Sequence, residues 1–214
     1  MKELLYSAFR LPSIFFNYIN LKLYCVEHGK IKINGIIRFH GNGKICLGEE
    51  VEVNSAPLLG NPVGINCRTH LCAYDSAYLK IGNNVGISGA TIVAHCGIII
   101  EDNVLIGGGT QIYDTDFHSI FYNERLFNTV PLGKTVIVKR GAFIGGNSII
   151  LKGVTIGERS VVGAGSVVAN DIPSDEVWGG NPARFIKKIN NDKRQEGKNR
   201  YYEQRFGIHY CPNL

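Results

Sequence analysis

The sequence predicts an all-β solenoid, because aliphatic residues recur at every sixth position through its second half. The recurring residues are Val138, Ile144, Ile150, Ile156, Val162 and Val168. A second small or apolar residue follows each of them by four positions, as Ala142, Ser148, Val154, Ser160, Ser166 and Ile172. A period of six matches neither an α-helix nor a simple alternating strand. It indicates short strands joined by turns, with successive coils stacking their aliphatic residues into one continuous core.

The same period appears earlier in the chain, with one irregularity. The step from Ile81 to Ile100 is 19 residues, one more than three repeats of six. We therefore expect one extra residue near positions 94–97, accommodated as a bulge at a corner. Residues 31–78 show only fragments of the pattern, which predicts irregular early coils. The solenoid as a whole is expected to span residues 31–183.

A long insertion interrupts the repeat once. The step from Ile112 to Val138 is 26 residues, so about 20 residues leave the solenoid and return. Long loops within compact domains are uncommon and are often functional. We therefore expect residues 113–134 to form a protruding loop that carries chemistry.

The two ends of the chain differ from the repeats. Residues 1–30 are apolar but interrupted by polar and charged residues, which predicts a helical cap on the open end of the solenoid rather than a signal peptide or a membrane span. Peripheral docking of this cap on a membrane surface or on a lipid-linked substrate is the open alternative. Residues 184–214 hold eight basic and three acidic residues and are predicted to form a basic helical tail.

Charge and cysteine content argue against several classes of function. Residues 1–183 contain fifteen basic and fifteen acidic residues, so the net charge of +5 lies in the tail. A basic tail suits a phosphate-bearing ligand, whereas the neutral body gives no support for a nucleic-acid partner. The six cysteines form no C-x-x-C pair. A zinc ribbon is therefore not expected, and reduced thiols in a cytoplasmic protein are.

The C-terminal repeats resemble a known family. The run Gly163–Val168, the triplet Asp171–Pro173 and the segment Trp178–Arg184 are similar to the ending of hexapeptide-repeat acyltransferases. The resemblance covers residues 81–188 strongly and 31–80 loosely, and it is closest to sugar O-acetyltransferases of surface-polysaccharide biosynthesis. It implies a left-handed parallel β-helix, a homotrimer, and acetyl-coenzyme A (acetyl-CoA) as the donor, with no metal required.

The protruding loop resembles the one that carries the catalytic histidine in this family, and His118 is the matching position. Acetyl transfer to a sugar hydroxyl needs a base, because an alcohol is a poor nucleophile at neutral pH, and histidine has a suitable pKa. Direct attack is favoured when donor and acceptor are held together. Asp116, in preference to Asp114, is the expected carboxylate that orients the imidazole. Loop bracing is the alternative role for both carboxylates.

Three residues are predicted to contact the acceptor. His95 lies one coil away from the root of the loop, so stacking is expected to bring it near His118. The resemblance places His95 and Ser88 where related enzymes carry polar acceptor contacts, and Asp114 stands at the loop root. A structural hydrogen bond at a corner is the alternative role for His95.

The resemblance also implies a coenzyme groove between neighbouring coils of two subunits. Small residues that let the backbone approach pantetheine are Gly108, Gly146, Ala164 and Gly165. The amide near Gly146 is implied to stabilise the oxyanion of the thioester. Lys187 and Lys188 are implied to lie near the phosphates of the coenzyme, and Trp178 against its adenine or pantetheine. Alternatively, the corners need glycine whatever the ligand, and Trp178 packs the last turn.

Three functions remain open at this stage. The first is O-acetylation of a free or lipid-linked saccharide, and the second is N-acetylation of an amino sugar, a nucleotide sugar or an antibiotic-like amine. The third is a metal-dependent hydratase of the carbonic-anhydrase type, or a scaffold without catalysis. Tyr113 stands where the hydratase carries a histidine, so that metal triad is missing. A scaffold would not need His118 in the matching loop.

Overall fold

The described part of the chain winds into a three-sided parallel β-helix. The structure is a computed structural model that describes residues 2–55, 67–127 and 132–190. Successive strands along the solenoid belong to three different sheets, and most strands run parallel to the strand one coil away. The predicted all-β solenoid is therefore confirmed, and the architecture fits the left-handed β-helix that the resemblance implies.

The elements of the described residues alternate among the three faces of the prism. In chain order they are α1 (Lys2–Leu23), β1 (Glu27–His28), β2 (Ile31–Gly35), β3 (Arg38–His40), β4 (Lys44–Leu47), β5 (Val51–Ser55), β6 (His70–Ala73), β7 (Tyr78–Ile81), β8 (Gly86–Ser88), β9 (Thr91–Ala94), β10 (Gly97–Ile100), β11 (Leu105–Ile106), β12 (Gln111–Tyr113), α2 (Tyr122–Leu126), β13 (Val136–Val138), β14 (Phe143–Ile144), β15 (Ile149–Ile150), β16 (Thr155–Ile156), β17 (Val161–Val162), β18 (Val167–Val168), β19 (Glu176–Gly179) and β20 (Arg184–Lys188). Face 1 contains β1, β4, β7, β10, β13 and β16; face 2 contains β2, β5, β8, β11, β14, β17, β19 and β20; face 3 contains β3, β6, β9, β12, β15 and β18.

Aliphatic residues in equivalent positions form one buried column inside each face. The three columns are Ile81, Ile100, Val138 and Ile156 on face 1; Ile87, Ile106, Ile144 and Val162 on face 2; and Ile92, Ile112, Ile150 and Val168 on face 3. Each of these side chains is at most 2% exposed. Burying one such side chain stabilises the fold by about 1.5–3 kcal/mol. The core is thus the stacked six-residue repeat itself.

The second residue of each repeat fills the corners. Ser148 and Ser166 are fully buried. Each donates its hydroxyl to the carbonyl oxygen of a nearby corner glycine, Ser148 to Gly145 at 2.7 Å and Ser166 to Gly163 at 2.5 Å. A buried hydroxyl without a partner would cost free energy, so these bonds explain why serine is tolerated at positions where three of the six repeats have an apolar residue.

The irregularity between Ile81 and Ile100 differs in detail from the prediction. The ladder pairs Ile92 with Ile112 and Ile87 with Ile106. The step from Ile87 to Ile92 is therefore one residue shorter than a regular repeat, and the step from Ile92 to Ile100 is two residues longer. The single extra residue expected at positions 94–97 is the net of these two changes.

The ends of the solenoid are closed by different elements. Helix α1 contacts the first coil at β2 and β3, and Leu21 joins the core. None of the helices in the described residues is long and apolar enough to cross a membrane. At the other end the predicted helical tail is wrong for Arg184–Lys188, which forms strand β20 antiparallel to β19. The rest of the tail, from residue 191, lies outside the described residues.

Candidate active site

The candidate site begins at the corner between faces 3 and 1, where the long loop leaves the solenoid; we call it the loop corner. Rings from consecutive coils contact one another there in the order His40, Tyr74, His95 and Phe117, with centroids 5.4, 4.5 and 5.7 Å apart. The Tyr113 ring meets Phe117 edge-on at 5.2 Å. This aromatic column supports the loop from the preceding coils.

Asp114 fastens the root of the loop to the coil before it. Its side chain is completely buried. Oδ1 accepts the backbone N–H of His95 at 2.8 Å, and Oδ2 accepts those of Cys96 at 2.7 Å and Gly97 at 2.6 Å. The N–H of Lys134 donates to the Asp114 carbonyl oxygen at 2.8 Å, which closes the loop at its base. Both carboxylate oxygens thus brace the fold, as in the loop-bracing alternative, and a substrate contact of Asp114 stays a prediction.

His95 lies at the loop root, beside the residue that precedes His118. Its ring stacks on Tyr74 at an interplanar angle of 25° and meets Phe117 edge-on. The ring is partly exposed at this corner. The structure thus brings His95 close to the loop that carries His118, while a contact with the acceptor stays a prediction.

His118 follows a residue in an unusual backbone conformation. Phe117 has a φ of 61°, in the left-handed region that residues other than glycine rarely adopt. The backbone N–H of His118 donates to the Asp116 carbonyl oxygen at 2.7 Å. The side chain of His118 is exposed, and among the described residues its imidazole has no hydrogen-bond partner. The loop therefore presents an available imidazole on a well-fixed backbone.

Asp116 contacts a lysine of the following coil. Its carboxylate forms an ion pair with the Lys152 ammonium group, which projects from the next coil. The pair is half-exposed, so its contribution to stability is small. It nevertheless ties the loop to the coil after it, as Asp114 ties the loop to the coil before it. Loop bracing, the alternative role, describes this contact, and the orienting role of Asp116 stays a prediction.

The outer part of the loop is cross-linked by its own polar groups. Ser119 donates its hydroxyl to Glu124 at 2.5 Å, and Arg125 donates to the carbonyl oxygens of Ser119 and Ile120 at 2.9 and 2.8 Å. Large apolar side chains cover the surface of this arm and are exposed. They are Ile120, Phe121, Tyr122, Leu126, Phe127 and Leu132. Residues 128–131 of the predicted loop lie outside the described residues.

Ser88 lines a groove on face 2. The groove has a volume of about 330 Å³, and its lining includes polar Glu52, Asn54 and Ser88 together with apolar Leu105 and Phe143. The groove exists because Gly86 lies between Glu52 and Leu105 in the ladder and carries no side chain. Ser88 and His118 belong to different sides of the prism, so a single chain does not bring them together.

The predicted coenzyme glycines lie at the corner between faces 2 and 3, where turns of successive coils are in close contact; we call it the glycine corner. A Cβ at residue 145 would lie 2.5 Å from the backbone nitrogen of Ala164, so only glycine fits there. The carbonyl oxygen of Gly146 accepts the N–H of Gly165 at 2.9 Å, and that of Gly108 accepts the N–H of Asn147 at 2.8 Å. Ala164 and Gly165 are exposed. Close packing alone therefore accounts for several of these small residues.

Trp178 and the two lysines lie at the C-terminal end of the solenoid. Trp178 is partly buried against the core, and its indole N–H donates to Glu176 at 2.8 Å. These contacts match the packing role that was the alternative for Trp178. Lys187 and Lys188 are exposed on β20. Their positions leave both ammonium groups accessible to an anionic ligand.

Two ionisable side chains on face 3, beside the loop corner, are neutral. Burial raises the pKa of the Cys72 thiol and of the Tyr113 phenol, so both groups stay protonated near neutral pH. The Tyr113 hydroxyl donates to Gln111 at 3.0 Å. Among the residues that the structure describes, no group of three or more His, Cys, Asp or Glu side chains is arranged to hold a metal ion.

The sequence did not point to several residues of this site. Lys152 follows the repeat position Ile150 by two residues, and the pairing of Ile112 with Ile150 places it beside the loop root. Continuing the repeat across the insertion would have found it. Asn54 pairs with Ser88 in the ladder. The fragmentary pattern of the early coils gave no register from which to predict that pairing.

Comparison with known sequences agrees with this architecture. Residues 135–170 match the family described as bacterial transferase hexapeptide (six repeats). The chain is 35% identical to the galactoside O-acetyltransferase of Escherichia coli (strain K12) over 121 residues, which cover 53% of this chain and 59% of that enzyme. The chain spans between 45% and 64% of the length of three curated relatives that it matches.

Solved structures are similar over more of the chain. The hexapeptide-repeat containing acetyltransferase of Vibrio cholerae O1 biovar eltor, complexed with acetyl coenzyme A, has a TM-score of 0.52 and 26% identity, covering 88% of this chain and 89% of that one. A galactoside acetyltransferase in complex with coenzyme A has a TM-score of 0.51 and 26% identity, covering 74% and 68%. The repeats and the fold thus match those of hexapeptide-repeat transferases. The predicted resemblance to hexapeptide-repeat acyltransferases is confirmed.

Proposed function

We propose that this chain is an acetyltransferase that moves an acetyl group from acetyl-CoA to a hydroxyl of a saccharide, with His118 as the general base. The observation that carries the proposal is the presentation of His118. The loop before it is braced on both sides by Asp114 and Asp116, while its imidazole is exposed and has no partner in the described residues. The two relatives named for galactoside acetylation support a sugar acceptor.

The proposed enzyme is a homotrimer of prisms packed side by side, with the active site between neighbours. Two complementary surfaces support this assembly. The loop arm exposes many apolar side chains, and face 2 carries a groove with the apolar residues Leu105 and Phe143 beside the polar residues Ser88 and Asn54. We propose that the arm of one subunit covers the groove of the next, so that His118 meets the acceptor bound near Ser88.

The proposed chemistry is a direct transfer. The imidazole of His118 removes the hydroxyl proton as the sugar oxygen attacks the thioester carbonyl carbon, giving a tetrahedral oxyanion. An amide at the glycine corner, near Gly146, stabilises that oxyanion. Collapse breaks the carbon–sulfur bond, and the imidazolium returns the proton to the departing thiolate, which leaves as free CoA. The exposed Lys187 and Lys188 are proposed to attract the phosphates of the coenzyme.

The test is the His118→Ala variant, assayed by release of free CoA thiol with a galactoside or maltose as acceptor. We expect the turnover number to fall about 10²–10⁴-fold, because general-base catalysis contributes on that scale. His28→Ala is the matched control, since His28 is also exposed but lies on the first coil. Near-normal turnover by a trimeric His118→Ala protein would refute the assignment.

A second pair of variants tests the acceptor groove. Asn54→Ala and Ser88→Ala are expected to raise the KM for the sugar about tenfold while leaving the KM for acetyl-CoA unchanged, since each removes polar contacts from the groove alone. Acetyl groups located on nitrogen by mass spectrometry of the product would replace the O-acetyl proposal by the N-acetyl alternative. The five free cysteines of the described residues support a reducing compartment, and we propose a cytoplasmic location.

A further inference from the structure

Helix α1 turns its polar side toward the solenoid. Its buried positions in the described residues include Ser13 and Asn17, which are 8% and 4% exposed. The Asn17 amide donates to the Gly35 carbonyl oxygen at 2.8 Å, and its Oδ1 accepts the N–H of Ile37 at 3.2 Å. The end of a β-helix presents unpaired backbone groups, and these side-chain bonds satisfy two of them.

The opposite side of α1 is apolar and faces solvent. Its members are between 45% and 71% exposed: Ile14, Phe15, Phe16, Tyr18, Ile19 and Leu23. A soluble helix normally buries its apolar side and exposes its polar one. Helix α1 buries Ser13 and Asn17 beside Leu21 and leaves its other large apolar side chains exposed. These exposed side chains form an apolar surface that the described chain leaves uncovered. Such a surface marks a contact with a membrane or another protein.

Charge distinguishes between these partners. The sequence of α1 holds three basic residues, Lys2, Arg10 and Lys22, against one acidic residue, Glu3. The Lys22 ammonium group, in the last turn of α1, lies 4.7 Å from the centroid of the Tyr18 ring, which belongs to the apolar surface. Aromatic and aliphatic side chains flanked by basic residues are the composition of helices that lie in the interface of an anionic bilayer.

We propose that the apolar surface of α1 docks on the surface of an anionic lipid bilayer. Subunits that pack side by side contact each other through the faces and corners of their prisms. Helix α1 instead caps the end of the prism, so trimer assembly leaves its apolar surface accessible. In this respect the inference rests on the proposed trimer. Three copies of α1 then point to the same end, and simultaneous contact with one membrane strengthens a weak individual affinity. An acceptor attached to lipid would be brought to the enzyme by the same contact.

The test is co-sedimentation of the full chain with vesicles of phosphatidylcholine containing 30% phosphatidylglycerol, roughly the anionic content at which basic helices bind. We expect binding that weakens in high salt and with phosphatidylcholine alone. The double variant Phe15→Ser/Ile19→Ser should bind at least about tenfold more weakly, because it removes two apolar side chains from the contact. The matched control is Ile186→Ser, which changes an equally exposed apolar residue at the other end of the solenoid; its binding should equal that of the wild type.

Three results would overturn the inference. They are no vesicle binding by the wild type, undiminished binding by the double variant, and a change in oligomeric state of the double variant by light scattering, which would assign the surface to a second copy of the chain. The same measurements test the proposed enzyme function independently of the membrane docking. A wild-type protein that binds vesicles without releasing CoA refutes the enzyme assignment only, and one that releases CoA without binding vesicles refutes the docking only.

Discussion

The interaction of Asp114 with three backbone amides gives the sharpest test of how the loop is held. In Asp114→Ala the N–H groups of His95, Cys96 and Gly97 lose an acceptor side chain that is itself fully buried. One unsatisfied buried donor costs about 1–3 kcal/mol. The three donors share one acceptor group, so their costs overlap, and we expect a total loss of about 3–5 kcal/mol in the free energy of unfolding.

The isosteric variant separates the hydrogen bonds from the shape of the side chain. In Asp114→Asn the single carbonyl oxygen can take the place of Oδ2, which serves Cys96 and Gly97. The amide nitrogen then faces the N–H of His95, so one of the three bonds is lost. We expect a destabilisation of about 1–3 kcal/mol, between the wild type and the alanine variant.

Two measurements check this ranking. Urea unfolding followed by circular dichroism gives the change in the free energy of unfolding. Hydrogen exchange by mass spectrometry should show lost protection in the peptide around residues 95–97, and at the N–H of Lys134 that closes the loop, before other coils respond. Equal stability of the wild type and Asp114→Ala, or equal loss in Asp114→Asn and Asp114→Ala, would refute the reasoning.

Three further predictions follow from packing and burial. Asn17→Ala should lower the free energy of unfolding by about 1–3 kcal/mol, measured by urea unfolding, because a buried backbone pair on the first coil loses its partner. Gly145→Ala should cost more than Gly165→Ala in the same assay. The first places a Cβ against backbone atoms, whereas the second meets open space and costs only about 1–2 kcal/mol for its positive φ. Burial raises the pKa of Cys72, so iodoacetamide at pH 8 should label exposed Cys67 well before Cys72, as read by peptide mapping.

The six-residue period predicted the core because each repeat buries its aliphatic residue in the same way. From Val138 to Val168 each predicted position lies in one of the three columns. The prediction lost detail where a corner changes length, as between Ile87 and Ile100. There a shortened corner and a lengthened one nearly cancel, and only the net change is visible as a shift in the repeat. Pairing registers, which depend on three-dimensional contact, are needed to separate the two.

The candidate site was harder to predict than the fold, because carboxylates have the same appearance in sequence whatever they contact. Asp114 and Asp116 flank the path to His118, and both were assigned to chemistry on that proximity. The coils stacked before and after the loop supply their partners, the amides of residues 95–97 and Lys152. Those partners are distant in sequence, so the bracing roles emerge only once the coils are placed in register.

The stability of the loop follows from a widening of the loop corner that begins several coils earlier. Between equivalent core positions this corner spans eight residues from Phe39 to Leu47, ten from Leu71 to Ile81 and eight from Ile92 to Ile100, whereas the regular repeat uses six. Tyr74 and His95 of the aromatic column lie within these longer corners. In a regular prism the preceding coils would offer a long loop no such contacts.

Here the rings of the aromatic column contact the loop at Phe117. The positive φ of Phe117 would be unfavourable in isolation, and the contact with the column stabilises it. The departures from the repeat, rather than the repeat itself, therefore place the imidazole.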